Sequence, residues 1–225
     1  MKRTFFLINL VIFCAFVYAQ EIKRLEPLKD NETLEYIFDT GNSILQILKN
    51  NSSKTTNYYS IYNTSWGMYQ ITESKKGILF FEDTFEEKMP MYYLDGNKGT
   101  ITLYGNIKFG ARLDSTGKYV LLQESGLSDF FILNLETGNN EKGVSWNLHD
   151  KEHWYKHGAG FSLLRATDKD EYDYLIEFRI ERLTIAKGYL NIEEGIIKTE
   201  FDDSDKKEIE LRQSVNYGEA YTGWY

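Results

Sequence analysis

Phe109 to Gly138 reads FGARLDSTGKYVLLQESGLSDFFILNLETG, and this stretch decides the fold. Asp114-Ser115-Thr116-Gly117 is a turn signal: Asp and Ser bond their own backbone, and Gly accepts the positive φ that closes a tight turn. Lys118 to Gln123 follows as a strand, since Tyr119, Val120, Leu121 and Leu122 are β-formers without helical period. Ser125 to Asp129 is a second turn. Phe130 to Leu135 is a second strand, mostly apolar with Asn134 inside it, and Glu136-Thr137-Gly138-Asn139-Asn140 closes the unit. Strands this apolar are usually buried on both faces. A hairpin alone is marginal in water, so the unit has to stack on others like it.

The same landmarks recur along the chain. Gly77 leads through Ile78-Leu79-Phe80-Phe81 to Tyr92-Tyr93-Leu94, then to the turn Asp95-Gly96-Asn97-Lys98-Gly99 and the strand Thr100 to Tyr104. Gly160 leads through Phe161-Ser162-Leu163-Leu164 to Tyr174-Leu175-Ile176. Gly41 leads to Tyr58-Tyr59, and Gly195 leads to Ile209 and Leu211. The glycines at 41, 77, 117, 160 and 195 are 36, 40, 43 and 35 residues apart. With TGKYVLLQESGLSDFFILNLETG as its best unit, this pattern resembles the WD-repeat and Tol-type β-propeller repeat, in the Gly77 and Gly117 units above all. The chain departs from that family in using Asp114-Ser115-Thr116-Gly117 for the usual Ser-Pro-Asp-Gly turn, and in lacking a Trp-Asp strand end. The resemblance implies an all-β, antiparallel fold, a small or partial β-propeller of about five blades. A closed β-barrel or sandwich is the alternative for so many strands.

Elsewhere the pattern is mostly β. Glu21 to Asn50 fits short helical turns as well as strands, with Asn31-Glu32-Thr33 a possible helix cap. Asn50 to Asn57 reads as a loop and Phe85 to Pro90 as a charged connection. Tyr172 to Ile185 reads as one long strand with a wet face, because Glu177, Arg179 and Glu181 interleave with Tyr174, Ile176, Phe178, Ile180 and Leu183. No linker or low-complexity segment interrupts residues 20–225, which form one expected domain.

Residues 1–19 carry a secretory signal: Lys2 and Arg3, then the apolar run Phe5 to Val17, then Val17-Tyr18-Ala19 with cleavage expected before Gln20. The run is too short for a good membrane span, so none is expected after cleavage. Cys14, the sole cysteine, lies inside it. A mature chain without cysteine fits a bacterial periplasmic or secreted protein, since disulfides are usual in eukaryotic secretion. Loss of Lys2 and Arg3 takes the net charge from −8 to −10. Such a chain should avoid phosphate backbones, and no nucleic-acid binding is expected.

Two constellations stand out. His149, His153 and His157, spaced i, i+4, i+8 within HDKEHWYKH, would share one helical face, where a pair with Asp150 or Glu152 suits zinc. A solvated loop or helical turn between strands is the reading preferred for them, and no His-Glu-x-x-His motif is present. The aromatic content is high, at 16%. Trp146 and Trp154 are the candidate ligand-binding rings, because indole faces stack on sugars and peptides; core packing is the competing use. Paired acids such as Glu82-Asp83 and Glu193-Glu194 read as turns, and Asp95-x-Asn97 and Asp168-x-Asp170 lack the remainder of a calcium loop. Gly158-Ala159-Gly160 precedes a strand and is no dinucleotide fingerprint.

The expectation is a secreted or periplasmic, non-catalytic binding or scaffold protein of the bacterial cell envelope, without cofactor, whose partner is an envelope protein or glycan. Its alternative is a zinc-assisted hydrolase of glycan or peptide that works through His149, His153 and His157.

Overall fold

A computed structural model describes residues 19–62, 69–82, 89–107, 110–123, 129–148, 158–164, 167, 169, 171–201 and 207. Residues 1–18, the histidine run and the chain beyond 207 lie outside them. Sixteen strands are present among the described residues. After β1 (Gln20–Arg24), the first sheet holds β2 (Thr33–Asp39), β3 (Ile44–Asn50) and β4 (Thr55–Tyr62). The second holds β5 (Tyr69–Ile71), β6 (Gly77–Phe81), β7 (Met89–Asp95) and β8 (Thr100–Ile107). The third holds β9 (Ala111–Leu113), β10 (Tyr119–Gln123), β11 (Asp129–Asn134) and β12 (Asn140–Ser145). The fourth holds β13 (Gly160–Leu164), β14 (Tyr174–Ile180), β15 (Leu183–Asn191) and β16 (Ile196–Phe201). Each sheet runs in chain order with antiparallel neighbours, and β1 adds outside β8 as a fifth strand of the second sheet.

The sheets stack face to face in chain order. Because side chains alternate across a strand, β6 sends Ile78 and Phe80 to a core shared with Leu34, Leu45 and Ile47 of the first sheet. Its Leu79 and Phe81 enter a second core with Leu113, Val120, Leu122 and Leu133. Likewise Leu121, Phe130 and Ile132 face a third core with Tyr174, Ile176 and Phe178. All five residues of β6 are buried, as its unbroken apolar run predicts. Each buried Leu or Ile contributes about 1.5–3 kcal/mol over leaving it exposed. This is the blade stacking of a β-propeller, with β5, β9 and β13 on the inner edges.

Turn chemistry repeats with the sheets. The Asp114 carboxylate accepts the Tyr119 amide at 2.7 Å and closes the β9–β10 turn, where Gly117 takes φ 78°. Thr72 Oγ1 does the same for the Gly77 amide at 3.0 Å, with Lys75 at φ 53°. The two turns therefore superpose Lys75, and not Gly77, on Gly117. A second device closes the outer hairpins: Leu94-Asp95-x-x-x-Gly99, Leu133-Asn134-x-x-x-Gly138 and Leu190-Asn191-x-x-x-Gly195. The Asx side chain caps nearby amides, the Gly has positive φ in all three, and each Leu is fully buried against the preceding sheet.

The five glycine-led units thus fall on four sheets, since Gly160 opens β13 while Gly195 lies in the β15–β16 turn of the same sheet. Residues 33–50, open to a helical reading, form β2 and β3. The single strand read from Tyr172 to Ile185 is two, β14 and β15, reversed at Glu181-Arg182 with Glu181 at φ 52°. Pro90 lies inside β7 at a register shift, where its missing N–H interrupts no regular ladder.

Candidate functional site

The inner edges of the first three sheets form a row of half-exposed side chains. On β5, Gln70 uses both ends of its amide on β9: Nε2 donates to the Ala111 carbonyl at 2.9 Å, and Oε1 accepts the Leu113 amide at 2.8 Å. On β9, Arg112 stands at the equivalent register and reaches the next inner strand, where Nε donates to the Leu163 carbonyl at 3.0 Å. Tyr174 Oη donates to the Arg112 carbonyl at 2.8 Å. These two residues pin three sheets along their inner edges. Among the described residues, the Arg112 guanidinium shows only this Nε bond.

Before β5 comes β2, whose Leu34 amide donates to the Lys75 carbonyl at 2.6 Å. The rings of Tyr36 and Tyr69 meet edge to face with centroids 4.4 Å apart, and Phe38 lies 6.5 Å from Tyr69. Burial, with the Tyr36 phenol beside it, pushes the Tyr69 hydroxyl above its ordinary range. Tyr36 is 41% exposed and Ile37 54%. The row therefore runs aromatic, amide, guanidinium. Rings of this kind stack on sugars or peptides, and a guanidinium pairs with carboxylates. The row offers recognition groups.

Trp146 lies elsewhere. It is 2% exposed in the core between the third and fourth sheets, its ring 5.4 Å from that of Phe161. Its indole N–H donates to Thr199 Oγ1 at 2.8 Å. Gly188 lies under the ring, where a Cβ would come within 2.9 Å of it. A ligand would have to open this core to reach Trp146. Trp154, His149, His153 and His157 lie outside the described residues, between buried Leu148 and Ala159, on the connection from β12 to β13. Among the described residues, no group of three or more His, Cys, Asp or Glu side chains is close enough to hold a metal ion, and no helix is long and apolar enough to cross a membrane. The Asp95 carboxylate is occupied by the Asn97 and Lys98 amides at 3.0 and 3.1 Å.

Reading the sequence for histidine and tryptophan missed the inner row. Its signal is the shared register of Gln70 and Arg112, 42 residues apart, which appears only when the turns are aligned at Thr72 and Asp114.

No protein-family model matches the sequence, and no curated protein matches it either. Solved structures do resemble it in fold. The dihydro-heme d1 dehydrogenase NirN, solved in complex with DHE, aligns with a TM-score of 0.52 at 11% identity, over 82% of this chain and 40% of that one. The β-propeller domain of the trilobed protease from Pyrococcus furiosus aligns with a TM-score of 0.37 at 11% identity, over 80% and 69%. The tricorn protease aligns with a TM-score of 0.38 at 15% identity, over 81% and 16%. At such identities the likeness is one of fold alone.

Proposed function

We propose that this propeller-like chain is a secreted or periplasmic, non-catalytic binding or scaffold protein of the bacterial cell envelope, and that it holds an envelope protein or glycan along its inner edges. The observation that carries this reading is the row Tyr36, Tyr69, Gln70 and Arg112. Its rings are partly open, while the polar atoms of Gln70 are committed to backbone bonds. Such a row is rigid and recognises without reacting, and preorganised groups bind at lower entropic cost. The leader at residues 1–19 supports export, and the net charge of the mature chain supports a soluble state.

The test places a photo-crosslinking amino acid at position 36 in cells, with position 54 as control. The expected result is an adduct with an envelope component at position 36 only, weakened by Tyr69→Ala, in a protein whose mass shows cleavage after Ala19. Retention in the cytosol would overturn the reading. So would a zinc site of micromolar affinity lost in His153→Ala and His157→Ala, together with hydrolysis of glycan or peptide.

A further inference from the structure

The strand β2 bounds the first sheet on its inner side, and it differs from every other edge of the row. Among the described residues the first sheet has three strands where the others have four or five. An edge strand offers unpaired N–H and C=O groups, and proteins usually blunt such edges with bulges, cations, prolines or brevity. β1 pairs through a bulge and carries Lys23 and Arg24. β4 and β12 each face a register shift, and β16 carries Lys198. β5 and β9 have three residues each, and the Leu163 carbonyl of β13 is taken by Arg112. β2 has seven residues, TLEYIFD, in unbroken register with β3, and no Lys, Arg or Pro; its Leu34 amide is taken by the Lys75 carbonyl, so the edge on offer is the stretch around Tyr36 and Phe38.

The two faces of β2 differ in chemistry. Leu34, Tyr36 and Phe38 point to the side of Tyr69, while Thr33, Glu35, Ile37 and Asp39 point to the outer face of the sheet. On that outer face β3 and β4 add Ile44, Gln46, Leu48, Asn57, Ser60 and Tyr62, with no cation. A strand laid along β2 would place alternate side chains against Tyr36 and Phe38 on one side and against Glu35 and Asp39 on the other; Glu35 already accepts the Asn50 side-chain amide and Asp39 caps the Gly41 and Asn42 amides, so these two offer charge rather than free acceptors.

We propose that the inner edge of β2 binds an extended segment of a partner polypeptide as a further strand, and that the segment alternates basic with apolar residues. The inference rests on the binding-protein reading and deepens it by naming the ligand class. Charge decides between occupants. A second copy pairing β2 with β2 would bring Glu35 and Asp39 toward their own equivalents. The chain's own stretch from Lys206 to Arg212 would set Glu208 and Glu210 on that face together with Lys206 and Arg212, which gains less than a wholly basic face. Like charges across a strand pair are destabilising, and a basic partner removes the conflict.

The test uses the purified full chain and two seven-residue peptides, one alternating lysine with valine and one alternating glutamate with valine, followed by fluorescence anisotropy. The lysine peptide is expected to bind, and the glutamate peptide to bind at least about fivefold more weakly. Glu35→Lys, on an exposed side chain, should erase that preference, since Asp39 remains, with an unchanged circular dichroism spectrum. N-methylation of the alternate residues whose N–H groups face β2 should abolish binding, while methylation of the other set should leave it nearly intact. Equal loss with both sets, indifference to Glu35→Lys, no binding of the lysine peptide, or binding only after removal of residues 208–225 would each overturn the inference. Because the assay reads the edge directly, its failure leaves the cellular crosslinking result standing on its own.

Discussion

Trp146 separates a core role from a ligand role, and its replacement by Phe measures which one it has. Trp146→Phe removes the indole N–H that donates to Thr199 Oγ1 at 2.8 Å, a net loss of about 1 kcal/mol. It also removes part of a ring whose residue is 2% exposed and packed on Phe161 and Gly188. The lost burial and the gap left behind add about 1–2 kcal/mol. The expected destabilisation is therefore about 2–3 kcal/mol, read by urea unfolding of the chain beginning at Gln20. Thr199→Val breaks the same hydrogen bond from the other side. The double variant should thus be less unstable than the sum of the singles, by about 0.5–1 kcal/mol. A loss under about 0.5 kcal/mol with strict additivity would refute the packing argument.

Three other outcomes follow from the fold. Gln70→Leu leaves the Ala111 carbonyl and the Leu113 amide without their side-chain partner and should cost about 2 kcal/mol in thermal or urea unfolding; a neutral result would mean that the bridge is not formed in solution. Glu181→Gly relieves a left-handed non-glycine residue and should raise stability by up to about 1 kcal/mol, whereas a lower melting temperature would contradict the tight β14–β15 reversal. Burial pushes Tyr58, Tyr92 and Tyr104 up to about 12, assisted by Glu26 at Tyr58 and by the Glu82 bond at Tyr92. Their folded state favours the neutral phenol, so that stability is full below about pH 10 and is lost as pH rises from there through 12. Phenolate absorbance should accordingly rise together with loss of the β-sheet signal, and ionisation of all tyrosines near pH 10 in a folded chain would contradict the burial.

The stacked fold was readable because its strongest elements are local. β6 and β10 are short apolar runs bounded by turn residues, and only burial on both faces suits them. The Leu-Asx-x-x-x-Gly turns at Leu94, Leu133 and Leu190 were equally visible, yet glycine spacing alone concealed them by aligning Gly77 with Gly117. The hairpin at Glu181-Arg182 has neither Gly nor Asn to mark it, so the sheet imposes the turn and sequence alternation runs straight through. β2 and β3 hide for another reason: Leu34, Leu45 and Ile47 are buried while the apolar Tyr36 and Ile37 stay exposed, which blurs the period. The inner row was illegible because β5 and β9 are three residues long, and Gln70 and Arg112 acquire meaning only from the neighbouring strands they reach.

The pairing of Gln20 with Leu103 fixes an order in time. The first strand of the folded chain has no partner until roughly eighty further residues have been delivered, and closing so long a loop is slow compared with local hairpins. If the chain is exported as proposed, its head would therefore remain extended and unclaimed while the hairpins behind it close. On the same proposal, that interval is when a processing peptidase would reach the bond before Gln20, ahead of its pairing with Leu103.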